Sequence, residues 1–101
     1  MSLNFTIEQK AGFSVDEVRN ALADTLTRQL KQAVLQRDYY QKRCLAFEQQ
    51  YRMDSESFLA AFETGELGDE ADFFDWYGMK RIYDSWERRV QILSGVSVGS
   101  E

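Results

Sequence analysis

The chain has no histidine, no proline and only one cysteine among its 101 residues. Without histidine, Ser-His-Asp and Cys-His catalysis are excluded, as are ordinary histidine-ligated zinc sites. Cys44 alone cannot close an internal disulfide, and no charged segment followed by an apolar one opens the chain, so a cytoplasmic setting is expected. No apolar run approaches the roughly 18 residues that signal a membrane span, and no membrane association is expected. A Gly-rich phosphate loop and a dinucleotide fingerprint are both missing, so no cofactor is implied. Positive charge is missing locally: between Asp54 and Asp75 there are eight carboxylates and no lysine or arginine.

What is present is a small, apolar chain. Hydrophobic residues make up 44% and aromatics 14%, too much for a disordered segment and enough for a single domain over 1–101. Net charge is −5, unevenly spread. Residues 1–53 carry eight Lys/Arg against six Asp/Glu, and residues 54–101 carry four against eleven. Phosphate would be repelled by the second half, so nucleic acid is not the expected partner, and a basic protein surface is its complement.

Residues 3–8, LNFTIE, alternate apolar and polar with the period of a half-buried strand, and Val96 to Val98 repeat this weakly. Chain ends are commonly disordered, so residues 1–13 and 94–101 are expected to be extended or disordered, with a short N-terminal strand as the alternative. Ser14 and Glu17 form a capping-box pattern that opens a helix over about 14–52. Val15, Val18, Leu22, Leu26, Leu30 and Val34 follow one face of it, and Tyr40, Cys44, Phe47 and Tyr51 continue that face. Cys44 reads there as a small buried hydrophobe. With no proline or glycine from 15 to 52, the helix would be about 57 Å long, too long for a compact domain of this size. Either the helix breaks around QRDYYQKR, residues 36–43, or a second chain covers its stripe; the pattern favours the latter, a homodimer in which Leu22, Leu26, Leu30, Val34, Tyr40 and Phe47 are covered.

Asp54 can cap a second helix over about 55–64, with Met53 and Phe58 as a hydrophobic staple and Gly65 as its left-handed stop. Asp69 can cap a third over about 70–93. Its early Glu70, Asp72 and Asp75 and later Lys80, Arg81, Arg88 and Arg89 complement the helix dipole. Trp76, Met79, Tyr83, Trp86, Val90 and Leu93 recur at heptad-like spacing, with Phe73 extending the seam. The fold class that follows is all-α, an antiparallel helical bundle.

The segment from Phe62 to Trp76, FETGELGDEADFFDW, holds six carboxylates. A calcium loop needs oxygen ligands at alternating positions, a central glycine and a terminal glutamate, and Phe73 and Phe74 stand where those features belong. Helical di-metal sites use Glu-x-x-His motifs, which this chain cannot make. No catalytic residue and no metal ligand is assigned, and a metal-dependent hydrolase is the weakest reading. DNA binding through Arg28, Lys31, Arg37, Lys42 and Arg43 on the first helix is the alternative, diluted by interleaved acids and lacking a helix-turn-helix turn.

Met53, Asp54, Phe58, Phe62, then Gly65-Glu66-Leu67-Gly68-Asp69, and Phe73, Phe74 and Trp76 form the pattern F-x-x-G-E-L-G-D followed by F-F-x-W. In this the chain, from Tyr51 to Leu93, resembles a group of short prokaryotic helical proteins often encoded as the small, antitoxin-like member of a toxin–antitoxin pair. Residues 1–36 lie outside the matched part. The resemblance implies a neutralising partner protein, encoded nearby, rather than an enzyme. Combined with the charge pattern, it makes the expected function a non-enzymatic, self-associating interaction module. Glu66, Asp69, Asp72 and Asp75 would supply the electrostatics of partner binding and Trp76 an aromatic anchor.

Overall fold

Ser14 begins the ordered helical structure as a full capping box: its hydroxyl accepts from the Glu17 N–H at 3.1 Å, and the Glu17 carboxylate accepts from the Ser14 N–H at 2.8 Å. The computed structural model describes residues 12–98. From this cap, α1 runs unbroken over Val15–Tyr51, 37 residues, as the absence of proline and glycine allows. It stops at Arg52, which takes the left-handed conformation with φ 54°. The Arg52 and Met53 N–H groups both donate to the Glu48 carbonyl, and the Glu48 carboxylate accepts from the Ser55 N–H at 2.8 Å. One residue thus ties the end of α1 to the start of the next helix.

The second helix, α2, spans Ser55–Glu63. Asp54 caps it through the Ser57 N–H and hydroxyl, and these bonds hold the Asp54 carboxyl below its ordinary pKa. Met53 packs on the cluster that contains Phe58, as a hydrophobic staple requires. α2 ends in a Schellman turn: Gly65, at φ 77°, donates to Phe62 and Glu66 donates to Ala61. The third helix, α3, spans Ala71–Ser94 and runs back along α1. Tyr51 meets Asp72 at one end, Arg37 meets Glu87 midway, and Gln29 meets Arg89 towards the other.

The architecture is all-α, as the periodicity predicts, but elongated. The described residues span 63 × 25 × 19 Å with a radius of gyration of 19.8 Å, against roughly 13 Å for a compact domain of this length. Two regions differ in construction. In the head, α2 and the adjoining ends of α1 and α3 enclose an aromatic core. Trp76 and Phe58 are fully buried and stack with ring centroids 3.8 Å apart and planes 6° apart. Phe47 and Tyr51 stack on Trp76 at 5.7 and 5.8 Å, and the indole N–H donates to Ser55 Oγ at 2.9 Å. Each such ring pair adds roughly 0.5–1.5 kcal/mol beyond the area it buries.

The shaft contains only α1 and α3. Its buried apolar residues are Ala33 and Val90, and Arg37 bridges to Glu87 across the seam at 3.4 Å. Arg89 reaches Gln29, and α3 ends five residues later, so the first turns of α1 extend past it. Val15 and Leu22, which continue the seam, are exposed there.

This corrects the reason for expecting a second chain on α1. Leu26, Leu30, Val34, Tyr40 and Phe47 are partly buried within the molecule, because α3 folds back over the stripe; of that predicted set, Leu22 alone is exposed. The dipole argument for α3 also holds only at its start. Asp72 lies in the first turn, but the last turn has no basic residue, and Arg88 and Arg89 are too far from Ser94 to act on a field confined to one turn. Residues 96–98 adopt neither helix nor strand, and the alternating segment 3–8 lies outside the described residues.

Candidate functional site

The acidic corner is built by backbone geometry at the α2–α3 joint. The Schellman turn at Gly65 reverses the chain, and α3 begins at Ala71 with Glu70, not Asp69, as its N-cap. Glu70 makes no side-chain cap bond, so the predicted capping role of Asp69 is corrected: its carboxylate makes no such bond and Asp69 is exposed. Glu66, Glu70 and Asp75 are exposed as well. Among the described residues none of these four carboxylates forms a salt bridge.

Asp72 behaves differently. Half-buried, it accepts the Tyr51 hydroxyl at 2.6 Å and the Gln50 amide at 3.3 Å, joining α3 to the end of α1. That hydrogen bond, helped by burial and by the nearby charges of Asp72 and Glu70, pushes the Tyr51 phenol up to about 12. Asp72 is thus a structural acceptor, separated in role from the exposed four.

Trp76 does not reach the surface. Wholly buried and hydrogen-bonded to Ser55, it is the centre of the head and not a side chain that a docking protein can grip. The exposed ring at the corner is Phe74, 56% accessible, with Phe62 edge-on to it at 5.3 Å. The Phe73-Phe74 pair carries the signal that sequence reasoning passed over: consecutive helical positions point about 100° apart, so when one ring enters a narrow core the other must leave it.

A second concave feature lies on the other side of the head, an open cleft of about 240 Å³ lined in part by Cys44, Glu48, Ser55, Glu56, Lys80 and Tyr83. Lys80 is buried and ion-paired with Glu56 and Asp84, the latter at 2.7 Å. Burial acts to lower its pKa, but the hydrogen bonds to the two carboxylates outweigh it and the net shift is upward. Burial pushes the Cys44 thiol up, with Ser55 and Lys80 opposing. A protonated thiol and a paired ammonium are poor nucleophiles.

Among the described residues no three Asp, Glu or Cys side chains are grouped so as to hold a metal ion, and no buried side-chain polar atom lacks a partner. No helix there is long and apolar enough to cross a membrane. Of the basic residues on α1 considered for DNA, Arg37 is turned into the seam, bonded to Asp38 and Glu87. The predicted docking set therefore divides: Glu66, Asp69 and Asp75 share the exposed corner, Asp72 lies at its inner edge, and Trp76 lies beneath it. Comparison with known proteins finds no matching family model, no matching curated protein and no matching solved structure.

Proposed function

We propose that the protein is a non-catalytic, self-associating helical interaction module whose acidic corner docks a basic partner protein. One observation carries this reading: Glu66, Asp69, Glu70 and Asp75 stand exposed and without salt bridges in the same joint and first turns of α3 that carry the exposed ring of Phe74. A helix joint needs one or two acids near a helix start, and Asp72 already supplies the first-turn charge. The other carboxylates cost mutual repulsion without an internal return, and a positive surface would relieve it. An apolar ring among charges is the usual composition of a docking patch, in which the ring supplies buried area and the rim supplies steering.

An antitoxin-like role in the cytoplasm, masking a basic protein encoded beside it, fits this chemistry and the resemblance of the corner sequence. The test is co-purification with the product of the adjacent gene, using the native chain and a variant carrying Glu66→Lys, Asp69→Lys and Asp75→Lys. These positions are exposed, so the variant is expected to keep its helical circular dichroism and lose the complex. A native chain that captures nothing, or a variant that binds equally well, overturns the proposal.

A further inference from the structure

An open hollow of about 540 Å³ lies on the shaft against both helices, lined in part by Gln29 and Gln32 on α1 and by Trp86, Arg88, Arg89 and Ile92 on α3. That volume is in the range of binding clefts. No carboxylate lines it. The two carboxylates on the same stretch of α3 are engaged elsewhere, Asp84 with Lys80 and Glu87 with Arg37. Arg88 and Arg89 are exposed and, among the described residues, form no salt bridge; Arg89 reaches the Gln29 amide oxygen at 3.4 Å. The half-buried indole of Trp86 donates no hydrogen bond among the described residues.

These features select the occupant. Two guanidinium groups and an indole N–H with no negative acceptor among them call for an anion, and a guanidinium holds a carboxylate in a fixed two-bond geometry. The anion must also carry apolar surface, because Ile92 stands 58% accessible in the same lining as the indole. Tryptophan and arginine are the residues that most often dominate binding energy at protein interfaces. Shape adds a further constraint. In the head, α2 packs against both α1 and α3, whereas the shaft has no third helix of its own. The furrow between two packed helices is a natural seat for an amphipathic third one. A nucleic acid fits less well, since a chain of net charge −5 repels a polyanion and two arginines neutralise little of it.

We propose that this hollow docks an acidic amphipathic helix of a partner protein, its apolar face on Trp86 and Ile92 and its flanking carboxylates on Arg88 and Arg89. The surface goes beyond the acidic corner and is opposite to it in sign. Asp75 and Arg89 are roughly 20 Å apart along α3, so one chain can hold a basic and an acidic partner element at once.

Fluorescence anisotropy on the full chain tests it, with labelled peptides of about 15 residues, long enough to become helical when bound. Two peptides share leucines at helical spacing and differ only at the flanking positions, Glu in one and Gln in the other. The native protein is expected to bind the Glu peptide at least about tenfold more tightly. The bound peptide is also expected to shield Trp86 from acrylamide quenching, a change absent in Trp86→Phe. Arg88→Glu combined with Arg89→Glu is expected to keep its helical circular dichroism and lose the tenfold preference. Charge reversal at Glu66, Asp69 and Asp75 is expected to leave the shielding in place, which separates this surface from the corner. Equal binding of the two peptides, or a preference that survives the arginine reversal, overturns the proposal. An oligothymidine of similar length that binds more tightly than the Glu peptide and is lost in the same variant overturns it in favour of nucleic acid. A native dimer in sedimentation equilibrium that the arginine reversal dissociates overturns it in favour of a second copy.

Discussion

In the head, Trp76 and Phe58 are fully buried and stacked at 3.8 Å, whereas along the shaft the buried apolar residues are Ala33 and Val90, with the Arg37–Glu87 pair between the helices. The head gains its stability from aromatic area enclosed on three sides. A two-helix shaft can enclose only a few side chains, such as Ala33 and Val90, so it relies on close approach of the helices and on polar pairs that remain partly wetted. The same helix α1 thus crosses from a well-fastened region to a loosely fastened one without a break in its hydrogen bonding.

Amide exchange is the most sensitive way to break that contrast. Amides from Phe47 to Tyr51 are expected to open only with global unfolding, and those from Val15 to Leu22 by local fraying, a difference of several kcal/mol in opening free energy. Uniform protection along α1 would refute the division. Mutational loss follows the same order. Phe58→Ala is expected to cost about 3–5 kcal/mol and Val90→Ala about 1–2 kcal/mol in urea melts, because the first empties an enclosed site and the second an open-sided one.

A smaller effect of opposite sign is expected at Gly78, where head and shaft merge. Gly78→Ala adds a methyl group to open space and should stabilise the dilute monomer by about 0.5–1 kcal/mol through helix propensity. Denaturant melts at two protein concentrations read this separately from any change in dimerisation. The smallest effect at neutral pH belongs to Tyr51. Its folded pKa of about 12 exceeds the ordinary 10, so the fold favours the neutral phenol. That contribution is fully present below pH 10 and is lost as pH rises from 10 towards 12. Tyr51→Phe should remove the highest-pH step from the tyrosinate absorbance titration and flatten the loss of stability over that window.

The helix boundaries were legible because their signals are local. Ser14 with Glu17, Asp54 with Ser57, and Gly65 each act within four residues of themselves, and the predicted spans 14–52, 55–64 and 70–93 fall within a residue or so of α1, α2 and α3. What covers each face was not legible, since a heptad stripe reads identically whether its partner is another chain or the same one. The stripe from Leu26 to Phe47 therefore looked unpartnered. Ala33 escaped notice because a small residue adds little to a hydrophobic pattern, and Lys80 because a charged residue is seldom buried unless paired. At the acidic corner, composition identified the exposed carboxylates. It could not separate Asp72 from its neighbours or Trp76 from Phe74, because those distinctions depend on where Tyr51 and Ser55 arrive from other helices.

The Schellman turn at Gly65 has a consequence for how this protein can change. The two Schellman bonds run between main-chain atoms, from Gly65 to Phe62 and from Glu66 to Ala61, the Thr64 hydroxyl adds a bond to the Ala61 carbonyl, and the side chains of Glu66 and Asp69 take no part in them. Shape and recognition are written in separate alphabets at this corner: the glycine dictates the bend, and the residues around it can be rewritten with little effect on the bend. A lineage carrying this chain could exchange one partner for another by substitutions at Glu66, Asp69 or Asp75 while the three helices kept their arrangement.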